Sequence, residues 1–337
     1  MHYLALRNEL LVVETGSPDA ATRTGAVPAT VQARHRGHDF ECVAAHPDAP
    51  ERAFAGTFED GLRRTTTAGD DWERVGGSTI ASDAVLSVTV DPHDPATVYA
   101  GTEPSAVYRS RDGGETWAAL DGLTELPSAS RWSFPPRPHT HHVRWISVAP
   151  ADPDRLYVGV EAGAFPRSTD GGETWLDHAE GARRDVHAIA THPDAPDRVY
   201  VAGGDGYAES DDDGETWRHP QTGLDHRYVW SVAVDPADPD RVVVSAARGA
   251  RSAHSRPGEA YVYRREAGAS WARCSGLPTG EGVLRPVLAA GRDAGAVCAA
   301  SNRGLFRSAD AGETWARVDV PWPDRFVAQA PRGLAVA

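Results

Sequence analysis

The tryptophans of this 337-residue chain recur with the same residues in front of them. Ser110 to Trp117 reads SRDGGETW, Ser168 to Trp175 STDGGETW, Ser210 to Trp217 SDDDGETW and Ser308 to Trp315 SADAGETW. Thr65 to Trp72 (TTTAGDDW) and Arg264 to Trp271 (RREAGASW) are eroded copies. The six tryptophans stand 45, 58, 42, 54 and 44 residues apart. That period is the length of one four-stranded propeller blade, a unit that buries its faces only against its neighbours. The octapeptide itself is a turn. Its Asp accepts backbone N–H groups, its Gly supplies a positive φ, and the Ser or Thr hydroxyls close the loop. The Trp then buries a large apolar area between layers. One such turn offers too few oxygens for the roughly six to eight ligands of calcium, so its Asp reads as structural.

A second element precedes each octapeptide. It is an apolar strand, an Asp-Pro or His-Pro turn, and another β-rich run. Examples are Val85 to Pro92 followed by Val98 to Gly101, and Val232 to Pro236 followed by Val242 to Ser245. Each blade is therefore inner strand, turn, second strand, hairpin, third strand, octapeptide turn, outer strand. Six blades fall at about 34–77, 79–121, 139–180, 184–223, 226–276 and 282–319. At the C-terminus, Arg332 to Ala337 reads as an inner strand cut at its turn. Tyr3 to Leu6 and Leu10 to Val13 read as the second and third strands of the same blade. The expectation is an all-β, single-domain, seven-bladed β-propeller spanning 1–337. Its last blade combines 324–337 with 1–33, which leaves no free sheet edge.

The pattern S/T-x-D-x-G-x-T-W resembles the Asp-box or BNR repeat of sialidases, sortilin-type receptors and photosystem-assembly propellers. The resemblance covers nearly the whole chain. It implies a WD40/YVTN/BNR-like propeller, either glycosyl-hydrolase-like or a scaffold, with the boxes away from the ligand face.

Composition narrows the partners. The formal net charge is −14, from 34 Lys plus Arg and 48 Asp plus Glu, and every one of the 34 cations is arginine. A carboxylate-rich surface disfavours nucleic acid and anionic membranes and keeps a chain soluble. The acidic, lysine-free, alanine-rich composition looks like that of a salt-loving organism. No stretch nears about 18 consecutive apolar residues, and Arg7, Asn8 and Glu9 interrupt the N-terminal run as no secretory leader would. Cys42, Cys274 and Cys298 are few, scattered and without a CxxC, so a reducing cytoplasm is expected and the thiols read as inert core groups.

Chemistry is expected where the inner strands begin. Six residues before the turn of each stand Glu41, Leu86, Arg144, His187, Trp230, Arg285 and Arg332. Eight before it stand Asp39, Ala84, His142, Asp185, Tyr228 and Val283. Both offsets lie on one strand face, and closure gathers them around one mouth. His142, Arg144, Asp185 and His187 are the candidate catalytic centre, supplying acid, base and anion clamp. Asp185 and His187, two apart, read as a carboxylate-oriented base. Glu41, Glu161, Tyr228, Trp230 and Arg285 are candidate substrate-binding residues, with Trp132 of the long loop 123–138 as a lid. His139, His141, His142 and His187 are candidate metal ligands, which makes a divalent cation at the His-rich mouth the candidate cofactor. The same histidines also suit a hydrogen-bonded pocket, and the arginines suit ion pairs with Glu41, Asp39 and Asp185. Arg144, Arg285 and Arg332 look like the arginine triad of sialidases, with Tyr228 and Glu41 as the nucleophile pair, although the early Arg-Ile-Pro signature is absent.

Two function classes follow. One is a hydrolase- or lyase-like enzyme, glycosyl-hydrolase-like or metal-assisted, or a binder, for a small polar or anionic sugar-like ligand. The other is a non-catalytic scaffold that holds a protein partner.

Overall fold

The computed structural model describes residues 1–16 and 26–337. Seven inner strands carry the architecture: Phe40–His46, Val85–Val90, Val143–Ala149, Val186–His192, Tyr228–Asp235, Val287–Ala290 and Gly333–Val336. Each packs on the next around one axis, and the last packs on the first. Behind each inner strand an antiparallel ladder runs outward. In the second blade it continues through Val98–Thr102, Val107–Ser110 and Ala118–Leu120. The third and fourth blades keep three strands, and their outer strand shrinks to the bridges Arg167↔Leu176 and Glu209↔Arg218. The fold is the all-β propeller that the boxes imply.

The termini share one blade. Gly333–Val336 pairs with His2–Leu6, which pairs with Glu9–Thr15, which pairs with Val27–Arg36. Met1 and Ala337 exchange two backbone hydrogen bonds of 2.8 and 2.9 Å. Outermost, Val27–Arg36 lies parallel to Ala316–Asp319 of the preceding blade, so two neighbouring blades are also latched at the rim. Residues 17–25, assigned by sequence to this blade, lie outside the described residues.

The octapeptide is a self-satisfied loop. Ser110 Oγ donates to Asp112 Oδ1 at 2.7 Å and accepts from Gly114 N at 2.8 Å. Thr116 gives Asp112 its N–H at 2.9 Å and its hydroxyl at 2.5 Å. These Thr116 bonds, with that of Ser110, hold the Asp112 carboxyl down at about 2. The same Ser–Asp–Thr bonds recur at Asp170, Asp212 and Asp310. An arginine just before the box of one blade clasps the box of the next. Arg64, Arg109 and Arg167 donate to the carbonyls of Gly113, Gly171 and Asp213 at 2.7, 2.7 and 2.8 Å.

Two backbone devices shape the axis. Near the entry end of five inner strands the ladder skips one residue: Glu41, Leu86, Arg144, His187 and Trp230. Such a bulge leaves one residue unpaired and re-aims its side chain, and these five line the axial cavity together with Arg332. Opposite three of the bulges stand glycines. A Cβ on Gly56, Gly101 or Gly159 would lie 2.4 Å from Val85 O, 2.5 Å from Val143 Cγ1 or 2.5 Å from Val186 Cγ1. Their absent side chains let each next inner strand close onto the blade before it.

Candidate functional site

Two connected cavities, of about 220 and 330 Å³, lie at the entry ends of the inner strands and share Arg7, His254 and Arg332. Below them the axis narrows to about 50 Å³, ringed by the bulge residues. None of the box residues Asp112, Asp170, Asp212 or Asp310 lines either cavity, as expected if the boxes occupy the far rim.

One side of the mouth holds carboxylates and imidazoles. Glu161, on the hairpin of the third blade, is 8 % exposed. His142 Nε2 lies 2.9 Å from its Oε2, and Arg144 Nε lies 3.8 Å from the same oxygen. Burial pushes the Glu161 carboxyl up, but the His142 bond and the charges of His142, His187 and Arg144 outweigh it and carry it well below the usual range. Burial opposes charge on His142, yet contacts with Glu103 and Glu161 prevail and raise its affinity for a proton. Glu103, in turn, is held at about 2: burial works against this, but His142 and a bidentate Arg137 overcome it. His187 is 1 % exposed. Its Nδ1 sits 2.7 Å from the Val229 carbonyl, and its Nε2 faces Asp185 Oδ1 at 3.6 Å and Glu161 Oε1 at 3.8 Å. Burial raises the Asp185 carboxyl, partly offset by His187. Two neighbouring carboxyls are thus pushed in opposite directions, which is how one site comes to hold both an acid and a base.

The other side is basic. Arg285 is buried and stacks 3.7 Å from the Trp230 ring centroid. It donates to the Pro331 carbonyl at 2.9 Å and to His254 Nδ1 at 3.1 Å, while its second terminal nitrogen meets no partner. Burial, then Arg332 and Arg144, depress its proton affinity. Arg144 stacks on the same ring at 4.8 Å. Its neighbours Arg332, Arg7 and Arg325 pair with Glu41, Asp39 and Glu9 at 3.2, 3.1 and 3.0 Å.

The fold therefore brings His142, Arg144, Glu161, Asp185, His187 and Trp230 together, with Glu41 and Arg285 at the adjoining wall. The bonded carboxylate–imidazole pair is Glu161–His142. Asp185 and His187 stand too far apart for a direct hydrogen bond. Tyr228 forms no pair with Glu41. Its hydroxyl bonds His254 Nε2 at 2.9 Å, burial raises its proton affinity, and Glu41 is taken by Arg332. Trp132 is not a lid: it is 5 % exposed, packs among Leu123 and Val160, and spends its N–H on Ser128 at 2.9 Å. Phe134 takes the lid position, edge-on to His142 at 4.7 Å, with Arg137 stacked between it and Phe58. His139 is exposed in the turn before the inner strand and His141 lies against Trp132, so neither joins His142 and His187. His254 went unseen by sequence. It sits on the short helix Ala250–His254, whose only sign is the long 54-residue interval before Trp271.

Comparison with known proteins follows the same lines. The family model of the BNR/Asp-box repeat matches residues 108–119. No curated protein sequence matches the chain. Among solved structures, a GH74 enzyme of Niastella koreensis superposes with a TM-score of 0.63 at 18 % identity, over 86 % of this chain and 47 % of that one. The GH74 xyloglucanase of Xanthomonas campestris gives 0.62 at 18 %, over 83 % and 45 %. The chain thus spans less than half the length of those enzymes. YCF48 bound to a D1 peptide gives 0.58 at 18 %, over 84 % and 82 %. Identities this low speak for the fold alone. Boxes and blades recur together around one axis: the chain has a β-propeller fold, and its residues 108–119 match the BNR/Asp-box repeat.

Proposed function

We propose that the mouth binds a small, polar, acidic ligand of sugar-like size and acts on it by acid–base chemistry, as a hydrolase or lyase. One observation carries this reading: a buried carboxylate–imidazole cluster with proton affinities pushed apart adjoins a guanidinium, Arg285, that has no carboxylate partner. A ligand carboxylate or phosphate at the arginine side would meet charge-assisted donors. Its neighbouring bond would then face Glu161, His142 and Asp185, which supply base and acid. Tyr228, bonded to a neutral His254, is a wall and not a nucleophile.

The scaffold reading needs a docking face. Among the described residues Leu176 is the exposed large hydrophobic, at 49 %, and one side chain makes no apolar patch.

The test is ligand-induced stabilisation. Glucuronate, galacturonate and a hexose phosphate should each raise Tm, and neutral glucose should not. Arg332→Gln should weaken the acidic ligands at least tenfold. A peptide binding the mouth while no acidic sugar does would favour the scaffold instead.

A further inference from the structure

The two oxygens of Glu161 are divided between different neighbours. His142 and Arg144 both address Oε2, whereas Oε1 is turned to His187. Asp185 Oδ1 is steadied by the Ala162 N–H at 2.9 Å. His187 is fixed from behind by the Val229 carbonyl, which accepts the Nδ1 proton, so that in the neutral imidazole the Nε2 lone pair points forward. That Nε2 is buried and meets no hydrogen-bond partner. Two carboxylates face it at 3.6 and 3.8 Å, and the three ligating atoms lie within 4.8 Å of one another.

These distances are the point. A lone pair turned toward two carboxylates is repulsive unless something positive sits between them. A proton on Nε2 would have to reach acceptors beyond hydrogen-bond distance on both sides. A divalent cation with bonds of roughly 2.0–2.2 Å spans such gaps with shifts of a few tenths of an ångström. The rear anchoring of His187 by a carbonyl and of Glu161 by a second histidine is the outer shell that metal-binding side chains carry, and the Ala162 amide fixes the facing oxygen of Asp185.

We propose that Glu161, Asp185 and His187 form a divalent-cation site of borderline hardness, suited to Zn²⁺ or Mn²⁺. One imidazole and two carboxylates fit those ions and fall short of the roughly six to eight oxygens of Ca²⁺. The ligands are not the run of histidines at 139–142: only His187 of that earlier set remains, and His142 serves behind Glu161. Of the three, Glu161 also lines the ligand cavity. The proposal rests on the mouth reading only for what the ion would do there, namely polarise a bound ligand oxygen; with the ion bound, Glu161 and Asp185 hold it and the proton transfer falls to His142.

The experiment is titration of chelator-treated, dialysed protein with Zn²⁺, Mn²⁺ and Ca²⁺ separately, by calorimetry and elemental analysis, without any sugar. The expected result is one equivalent of Zn²⁺ or Mn²⁺ per chain, with Ca²⁺ at least tenfold weaker. Asp185→Asn keeps the oxygen that accepts from Ala162 and should weaken the ion at least tenfold. His187→Gln should abolish binding, and Glu313→Gln, remote in a box turn, should change nothing. Absence of a stoichiometric ion, or binding by Asp185→Asn and His187→Gln as tight as by the parent protein, overturns the site. Acidic-sugar binding by the chelated protein is read separately. The ion can therefore fail while the mouth reading stands, and the reverse.

Discussion

Trp230 is the residue on which the mouth is organised. It stands at a bulge, stacks with the guanidiniums of Arg144 and Arg285, and touches the rings of His187 and His254 at 4.5 and 4.6 Å. Two cations against one aromatic plate in a buried setting require neutral neighbours. His254 is the one that must stay neutral: burial and then Arg285 push its proton affinity down to about 2. In the unfolded chain the same imidazole takes a proton below about pH 6.5. The unfolded state therefore binds the extra proton between pH 6.5 and 2, and stability falls as pH drops through that window. His2 and His35, both lowered to about 4, chiefly by burial, act in the same direction. His142, raised on balance, acts oppositely and loses its contribution as pH rises. We expect Tm to fall between pH 7 and 5, and His254→Gln to reduce that slope. The variant should also lose about 1–3 kcal/mol at pH 7, because Arg285 forfeits an acceptor while buried. Denaturant melts at pH 7.5 and 5.5 check both. An unchanged slope would mean that His254 is charged in the folded protein.

At the level of elements, the box, the inner strand and its turn were legible because each carries a side-chain signature repeated at fixed spacing. The offset of six residues before the turn also found the ring, since the bulge falls there in five blades. The bulge itself, the Arg clasp and the role of the facing glycines were not legible. They depend on backbone atoms of a neighbouring blade, which leave no mark on the local pattern. Trp132 illustrates the same limit: a tryptophan in a long loop reads as a lid until the loop is seen to fold it against Leu123 and Val160. The glycines offer a direct test. Gly159→Ala would drive a methyl to 2.5 Å from Val186 Cγ1. We expect a loss of about 1–3 kcal/mol, the cost of overpacking a rigid contact. Gly77→Ala, whose nearest neighbour would be the flexible Arg74 side chain at 3.7 Å, should be nearly neutral. Urea midpoints of the two variants decide this, and equal midpoints would mean that the blades are spaced more loosely than the distances say.

The molecule as a whole is a chain of blades, each in contact chiefly with two neighbours, closed where the termini meet. In such an arrangement stability is carried by blade interiors and by the interfaces between them, and a broken ring loses an interface without gaining anything. Closure rests on Gly333–Val336 beside His2–Leu6, on the Met1–Ala337 hydrogen bonds, and on the rim latch of Val27 with Val318. Deleting residues 333–337 would uncover an unpaired inner edge on His2–Leu6 and strip the Leu4 and Leu334 core, and an exposed edge invites association. A circular permutant makes the opposite change. Met1 N lies 2.8 Å from Ala337 O, so a linker of about three residues, each reaching roughly 3.3–3.6 Å, joins the ends without strain. New ends at Gly268, an exposed turn with nothing near its Cα substituent, would cut no inner strand and no mouth residue. The permutant should remain monomeric, unfold in one transition close to the parent Tm, and keep the ligand response of the mouth. The 333–337 deletion should aggregate or melt well below the parent. If both variants behave alike, closure through the terminal blade is not what holds the ring.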